Sequence, residues 1–241
     1  MTPRGRMAYA LIATLLAACG GGTGNDGELS AAYAFSSPAL NSVRTYSQTI
    51  TDNSNNTINL GYTETATAVN ADGSYVVLQE DPNHESVIVN GTTYGVTTET
   101  VSVNNSGQET SYSYTDSAGS NVTCTFNPHG AGPNYPITVG GTWTLSYSVS
   151  CGNSAPVDYV QSGSVVDMES VTVPAGSFQA LKLQSTLTWT VGGTTRTQTI
   201  TNWRDSVTSI SVKESISTAY SGTPLSGGYP IESAVELTSG P

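Results

Sequence analysis

Apolar and polar residues alternate with a two-residue period along most of this chain. The pattern is clearest in residues 58–68, 143–151 and 181–189, where nearly every second residue is apolar or aromatic. Successive side chains of a β-strand point to opposite faces, so this period predicts strands with one buried and one exposed face. Apolar residues of an amphipathic helix recur about every three or four positions, and no window of the chain shows that spacing convincingly.

Turn signals separate the alternating blocks. They include Asp72-Gly73, Asn90-Gly91, Gly140-Gly141, residues 174–176 and Gly192-Gly193. Strands punctuated in this way predict an antiparallel, all-β protein with little helix. The long alternating strands favour one curved sheet or a half-barrel, and a two-sheet β-sandwich is the alternative.

The N-terminus has the features of a bacterial export signal. Arg4 and Arg6 precede an apolar stretch, residues 8–18, that is too short to span a bilayer. The run Leu16-Ala17-Ala18-Cys19 resembles the lipobox, after which the chain is cut and the cysteine acylated. We therefore predict a signal peptide in residues 1–18 and a lipid on Cys19, with an ordinary signal peptide as the alternative. Gly20 follows the cysteine, and the resemblance implies outer-membrane sorting in a bacterium with two membranes.

The rest of the chain divides by composition into a tether and a domain. Residues 19–30 are rich in glycine and have no apolar period, which predicts a flexible lipidated tether. Residues 31–241 then form a single all-β domain. The irregular, proline- and glycine-rich stretch 127–136 is where two halves of this domain would meet.

Charge restricts the partners that the protein can bind. The formal net charge is −11, and loss of Arg4 and Arg6 with the signal makes the mature chain still more acidic. Such a surface repels nucleic acid and anionic lipid headgroups. The predicted link to the membrane is therefore the lipid on Cys19 alone.

Two cysteines remain after Cys19. Cys124 and Cys151 both lie on the apolar parity of their strands, so both thiols face the core. Exported proteins fold in an oxidising compartment, which predicts a Cys124–Cys151 disulfide. Two buried free thiols are the alternative.

Candidate catalytic residues are few. Asp167 and Glu169 share one strand face, where two carboxylates could perform acid–base chemistry if their pKa values were pushed apart. Neighbouring acids on an exposed strand are more commonly solvated. His84 and His129 lack metal-ligand spacing, so we predict no metal, no cofactor and no catalytic residue.

Four further residues stand out from the alternation. Glu214 shares parity with apolar neighbours, and the favoured interpretation places it at a solvent rim; a core position paired with Arg196, Arg204 or Lys213 is the alternative. Trp143 and Trp189 are predicted core residues, and the environment of Trp203 is left open.

Two motifs carry a family resemblance. Residues 137–143 (ITVGGTW) and 171–183 (VTVPAGSFQALKL), followed by Trp203, resemble a group of uncharacterised exported bacterial proteins. That group is similar to half-barrel lipoproteins of the LolA/LolB type. Over residues 135–215, the resemblance implies a curved antiparallel sheet with a concave apolar face and no established activity.

Three functional hypotheses follow. The leading one is a non-catalytic envelope lipoprotein that binds an apolar ligand or a protein partner on a concave sheet face. The second is a surface adhesion or scaffold module, and the third is an envelope polymer hydrolase using Asp167 and Glu169. An apolar groove favours the first, a filled core without a cleft favours the second, and converging carboxylates in a cleft favour the third.

Overall fold

The computed structural model describes residues 31–81, 98–115, 119–223 and 228–240, together with the backbone of two short strands between them. These residues contain strands and turns but no helix, as the two-residue alternation predicts. The residues of the predicted signal and tether, including Cys19, lie outside the described part, as does His84. Among the described residues, no helix is long and apolar enough to cross a membrane.

The strands in chain order are β1 (Val43–Asp52), β2 (Thr57–Val69), β3 (Tyr75–Glu80), β4 (Val87–Val89), β5 (Thr92–Tyr94), β6 (Glu99–Val103), β7 (Glu109–Thr115), β8 (Asn121–Asn127), β9 (Thr142–Cys151), β10 (Val157–Val173), β11 (Gly176–Val191), β12 (Thr194–Asp205), β13 (Ser211–Gly222) and β14 (Pro230–Ser239).

Twelve of these strands form one closed antiparallel barrel in the order β1-β14-β13-β12-β11-β10-β9-β8-β7-β6-β3-β2. β1 pairs with β14 on one side and with β2 on the other, so the described barrel has no free sheet edge. The half-barrel and the two-sheet sandwich are therefore both wrong, although the antiparallel all-β class is confirmed. β4 and β5 form a separate two-stranded sheet.

The predicted alternation corresponds to the two faces of the barrel wall. On β11, Leu181, Leu183, Leu187 and Trp189 are all buried, whereas the residues between them are exposed or half-exposed. The outer face is rich in threonine and serine. Thr190 and Thr195 illustrate this face, because their hydroxyls are 2.9 Å apart across β11 and β12.

Two segments fill one end of the barrel. The first is the stretch before β1, where Tyr33 exchanges two backbone hydrogen bonds with Ile137. The second, which we call the plug, comprises residues 128–141 between β8 and β9. Gly130, Ala131, Gly132 and Pro133 of the plug are buried. The segment proposed from sequence as a meeting point of two halves thus lies inside the barrel, and β8 and β9 on either side of it are paired neighbours.

Candidate functional site in the barrel interior

The inward face of the barrel carries buried charged side chains as well as apolar ones. Arg44 is 1% exposed and Glu214 is 2% exposed. Aliphatic core residues are commonly this buried, whereas arginine and glutamate rarely are. Burying a charge is costly unless it is paired and hydrogen-bonded, so the contacts of these groups decide what the interior can do. Glu64, Glu99, Glu109 and Arg204 are buried as well.

One group of polar side chains lies on β1, β2 and β3. Arg44 Nη1 is 3.6 Å from Glu64 Oε2, and Gln79 Nε2 donates to Glu64 Oε1 at 2.9 Å. Tyr46 and Tyr62 stack beside this pair, with ring centroids 5.0 Å apart. Burial raises the pKa of Tyr46 far above its ordinary value, so its hydroxyl stays protonated.

A second group lies on β12 and β13. Asn202 Nδ2 donates to Glu214 Oε2 at 2.9 Å and to Ser211 Oγ at 2.8 Å. Arg204 Nε donates to Asn202 Oδ1 at 2.9 Å, and Arg204 Nη1 donates to the hydroxyl of Tyr135 at 2.8 Å. Asn202 therefore bridges the carboxylate to the guanidinium, and Arg204 continues the chain to the plug.

Glu214 lies in the core rather than at a solvent rim, so the favoured sequence interpretation of this residue is wrong. The alternative, a core position near a cation, is correct with Arg204 as the cation and Asn202 between the two. Burial raises the pKa of the Glu214 carboxyl to about 7, although Asn202 and Arg204 act in the opposite direction. Its Oε1 atom is buried and has no hydrogen-bond partner among the described residues.

A small cavity adjoins this carboxylate. Its volume is about 30 Å³, enough for one or two water molecules, since a buried water needs roughly 10–15 Å³ of such space. Its lining combines polar and apolar side chains, and three plug residues complete it. The lining residues are Ala131, Gly132, Pro133, Trp143, Gln161, Leu183, Ser185, Leu187, Ile200, Asn202, Arg204 and Glu214.

Gln161, which also lines this cavity, binds the plug to the neighbouring strands. Its Oε1 accepts hydrogen bonds from the backbone N–H of Gly132 at 2.8 Å and from Trp143 Nε1 at 3.2 Å. Its Nε2 donates to Ser185 Oγ at 3.2 Å. The buried amide thus holds the plug, β9 and β11 together.

Asp167 and Glu169 lie on the outer face of β10, and neither lines the cavity beside Glu214. Asp167 is exposed, and its Oδ1 accepts a hydrogen bond from the backbone N–H of Met168 at 2.8 Å. Glu169 accepts a hydrogen bond from Trp203 Nε1 and lies 3.4 Å from Lys182 Nζ. The two acids therefore have separate local partners and do not converge on a cleft.

The three tryptophans occupy three different environments. Trp189 is 4% exposed in the core, which confirms that prediction. Trp143 is half-buried and lines the cavity rather than lying wholly in the core. Trp203 is on the outer face between Lys182 and Lys213, whose ammonium groups are 5.3 and 6.0 Å from its ring centroid.

The Cys124–Cys151 disulfide is present, as predicted. His129 was considered above as a metal ligand. Its Nδ1 atom lies 3.1 Å from the carbonyl oxygen of Gly130. No group of three or more histidine, cysteine or acidic side chains that could hold a metal ion occurs within the described ranges.

Near the β11–β12 turn, the inner face of the barrel carries a row of stacked rings that the sequence analysis missed. Tyr147, Tyr159, Trp189, Arg196 and Tyr220 are directly paired across five neighbouring strands. The ring centroid of Tyr159 is 5.1 Å from that of Tyr147 and 5.3 Å from that of Trp189. The guanidinium of Arg196 lies 5.8 Å from the ring centroid of Trp189 and 5.7 Å from that of Tyr220. The ring faces contact one another, so the row packs this part of the inner face.

Comparison with known proteins gives the fold class. No protein-family model matches the chain, and no curated protein matches it. A proposed exported protein with a YmcC-like fold from Bacteroides fragilis matches with a TM-score of 0.50 and 13% identity, over 87% of this chain and 99% of that one. The chain therefore shares a YmcC-like fold, and at this identity the likeness extends to the fold alone.

Two weaker structural matches were also found. One is a proposed lipoprotein from Parabacteroides distasonis, with a TM-score of 0.48 and 13% identity over 86% of this chain and 98% of that one. The other is the hypothetical lipoprotein YmcC of Escherichia coli, with a TM-score of 0.39 and 12% identity over 81% and 84%. The expected resemblance to LolA/LolB-type proteins is not shown by these comparisons.

Proposed function

We propose that this chain is a lipid-anchored cell-envelope protein without a catalytic role, which acts as a scaffold or adhesion module by binding an envelope partner on the outside of its barrel. The exported relative with the same fold supports an envelope location. The signal-like N-terminus and Cys19 support the lipid anchor. Gly20 favours the outer membrane as the site of anchoring.

The filled interior is the observation that carries this proposal. Ligand sites for small molecules typically enclose about 300–1,000 Å³, roughly ten times or more the volume of the cavity beside Glu214. The walls of that cavity also carry Arg204 and Glu214, which an apolar ligand would leave unsolvated. An apolar ligand held inside the barrel is therefore not favoured, and the outer face is the surface left for a partner.

The attachment of the N-terminal segment fits an anchored protein. Tyr33 is buried against Ile137, Val165 and Leu181, so the chain is fixed to the barrel shortly after the proposed tether. A tether of this composition would hold the barrel within about 20 Å of the membrane surface. The barrel would thus stay close to envelope partners.

The hydrolase hypothesis receives less support. Glu169 is engaged by Trp203 and Lys182 on the outer face, and Asp167 accepts its hydrogen bond from the adjacent backbone. A general acid and base must both reach one substrate bond, and neither carboxylate lines the cavity beside Glu214 or the smaller one lined by Glu64 and Glu109.

Native mass spectrometry of the full chain purified from its own membranes tests the proposal. We expect the mass of a chain that begins at a lipid-modified Cys19 and carries no apolar small molecule. The matched control is Cys19→Ser, which should lose both fatty-acid labelling and membrane association. Continued labelling of that variant would refute the anchor.

A second measurement separates the scaffold from a ligand carrier. A photo-crosslinking residue placed at the exposed position Val160 on β10 should give a discrete crosslinked envelope protein in intact cells. The control position is Leu183, whose side chain is buried inside the barrel. A stoichiometric lipid that remains bound to the barrel in native spectra, with no crosslinked protein, would overturn the scaffold function.

A further inference from the structure

Glu214 is connected to the plug by an unbroken chain of hydrogen bonds. Its carboxylate accepts from Asn202, Asn202 accepts from Arg204, and Arg204 donates to Tyr135 of the plug. Each step is between 2.8 and 2.9 Å. A change in the charge of the carboxyl group is therefore transmitted through Asn202 to Arg204, the side chain that is bonded to the plug.

Glu214 and the plug also share the wall of one cavity. Ala131, Gly132 and Pro133 line the same space as Glu214. The unpartnered Oε1 atom is on this carboxylate. A protonated carboxyl group is neutral and tolerates such a position, whereas a carboxylate needs water or a donor there.

The charged groups that surround Glu214 do not balance it when it is ionised. Arg204 on β12 is the cation nearest in the hydrogen-bond chain, and Arg44 on β1 is already paired with Glu64 on β2. Glu64 and the β7 residue Glu109 both raise the pKa of Glu214 by repulsion. From β14, the directly paired residue is apolar Val235, and on β13 itself Lys213 is bonded to Glu236 on the outer face. The charged groups that act on Glu214 are thus one guanidinium, Arg204, and two carboxylates, Glu64 and Glu109.

We propose that Glu214 and the plug form a proton-controlled gate, in which the plug is held closed while the Glu214 carboxyl is protonated and loosens when it ionises. An ionised Glu214 favours a state in which water enters the cavity to solvate it. The closed cavity has room for only one or two waters, which solvate a carboxylate less completely than bulk water does, so opening of its wall stabilises the ionised form. The plug is irregular chain rather than paired strand, and it is the part of the wall that can move at the lowest cost.

The pKa of the Glu214 carboxyl also lies in the range that such a gate requires. Its pKa of about 7 means that modest acidification or alkalinisation around neutrality changes its charge. An envelope protein is exposed to external pH, so the gate would expose or cover the polar interior in response to the surroundings.

Hydrogen exchange of the full mature chain tests the gate. Protection factors, which correct for the intrinsic effect of pH, are measured at about pH 5.5 and about pH 8.5. We expect the amides of Gly130, Gly132 and Ile137 to lose at least about tenfold in protection at the higher pH. The strand amides of β11 and β12 should remain better protected than the plug at both values.

Glu214→Gln is the decisive variant, because glutamine keeps the shape and the neutral charge of the protonated acid. Its plug should stay protected at both pH values. Glu236→Gln removes an outer-face carboxylate and should keep the wild-type pH response. Tyr135→Phe breaks the link to Arg204 and should lower plug protection even at the lower pH.

Three results would overturn the gate. The first is plug protection in the wild type that does not change with pH, and the second is a pH response that survives in Glu214→Gln. The third is plug amides that exchange at the same rate as the strands at every pH, because the plug then opens only when the whole barrel unfolds. The wild-type and Tyr135→Phe profiles decide the matter even if Glu214→Gln fails to fold.

Discussion

Cys124 and Cys151 lie directly opposite one another on β8 and β9, and a disulfide joins them. Only four residue pairs connect these two strands, fewer than between any other neighbours in the described barrel. The chain between the two strands is the plug, so the shortest strand pairing of the described barrel lies next to this irregular segment. The disulfide supplies the connection that a longer strand pairing provides elsewhere.

Reduction of the disulfide should destabilise the barrel. The crosslink spans 27 positions of sequence, and the chain-entropy model gives a loop of this size about 3–4 kcal/mol of stabilisation. Urea unfolding with and without reductant should show this loss, and Cys124→Ser/Cys151→Ser should show it without reductant. Reductant should then have no effect on the double variant. An unfolding midpoint that is unchanged by reduction would contradict the prediction.

Stability should fall as the pH rises from about 4.5 to about 7. The pKa of the Glu214 carboxyl is about 7 in the folded chain and 4.5 for an ordinary glutamate, so the folded state binds the extra proton within this window. The contribution is complete below the lower value and is lost as the pH rises through the upper one. Its size is about 3 kcal/mol, at 1.36 kcal/mol for each unit of pKa.

Unfolding free energies measured across this window check the effect. Glu214→Gln should flatten the pH profile, because its side chain cannot ionise. Glu236→Gln provides the control, since that carboxylate is on the outer face and bonded to Lys213 at 2.7 Å. A profile in which stability instead rises steadily towards neutral pH would show that Glu214 is not protonated in the folded chain.

The sequence contains enough information to predict the strands and the disulfide. The alternation around Cys124 and Cys151 placed both sulfurs on one face, and the same period placed Leu181, Leu183 and Leu187 inside. Both conclusions depend only on local geometry. The closure of the barrel does not, because β1 must meet β14 across nearly the whole length of the chain. No local pattern distinguishes a strand at a sheet edge from one that closes a barrel.

The polar interior was only partly predictable. Glu214 was conspicuous because it shares parity with Ile210, Val212 and Ile216, yet a rim position is the commoner outcome for a glutamate. Asn202 and Arg204 share the inward parity of β12, and that signal could have identified partners for Glu214. The position of the plug could not be found in this way, because it is set by tertiary contacts such as that between Gly132 and Gln161.

Replacing the two outer acids should change the protein little. In Asp167→Asn/Glu169→Gln, the main loss is the ion pair between Glu169 and Lys182. The Lys182 side chain is 26% exposed and the Glu169 side chain is 39% exposed. Exposed ion pairs contribute about 1 kcal/mol or less. The unfolding free energy should therefore stay within about 1 kcal/mol of the wild type, and Lys213→Met on the neighbouring ion pair is a matched control. A polymer-degrading activity of the purified chain that disappears in the double variant would instead support the hydrolase hypothesis.

Gly163→Ala should destabilise the barrel through Trp143. These two residues are directly paired across β9 and β10, and a Cβ atom at position 163 would collide with the indole ring. The ring must then move, which weakens its hydrogen bond to Gln161 and the contact between Gln161 and the plug. Forced rearrangement in a packed interior typically costs about 1–3 kcal/mol.

The matched control is Gly61→Ala on β2. A Cβ there would be 3.6 Å from the carbonyl oxygen of Tyr46, an ordinary contact, so alanine should be neutral or stabilising by up to about 1 kcal/mol. Thermal unfolding followed by circular dichroism compares the two variants, and tryptophan emission reports the displacement of Trp143. Trp143→Phe/Gly163→Ala should recover part of the stability lost in Gly163→Ala, because the smaller ring leaves room for the new methyl group. Equal melting temperatures for Gly163→Ala and Gly61→Ala would show that Trp143 does not need the space at position 163.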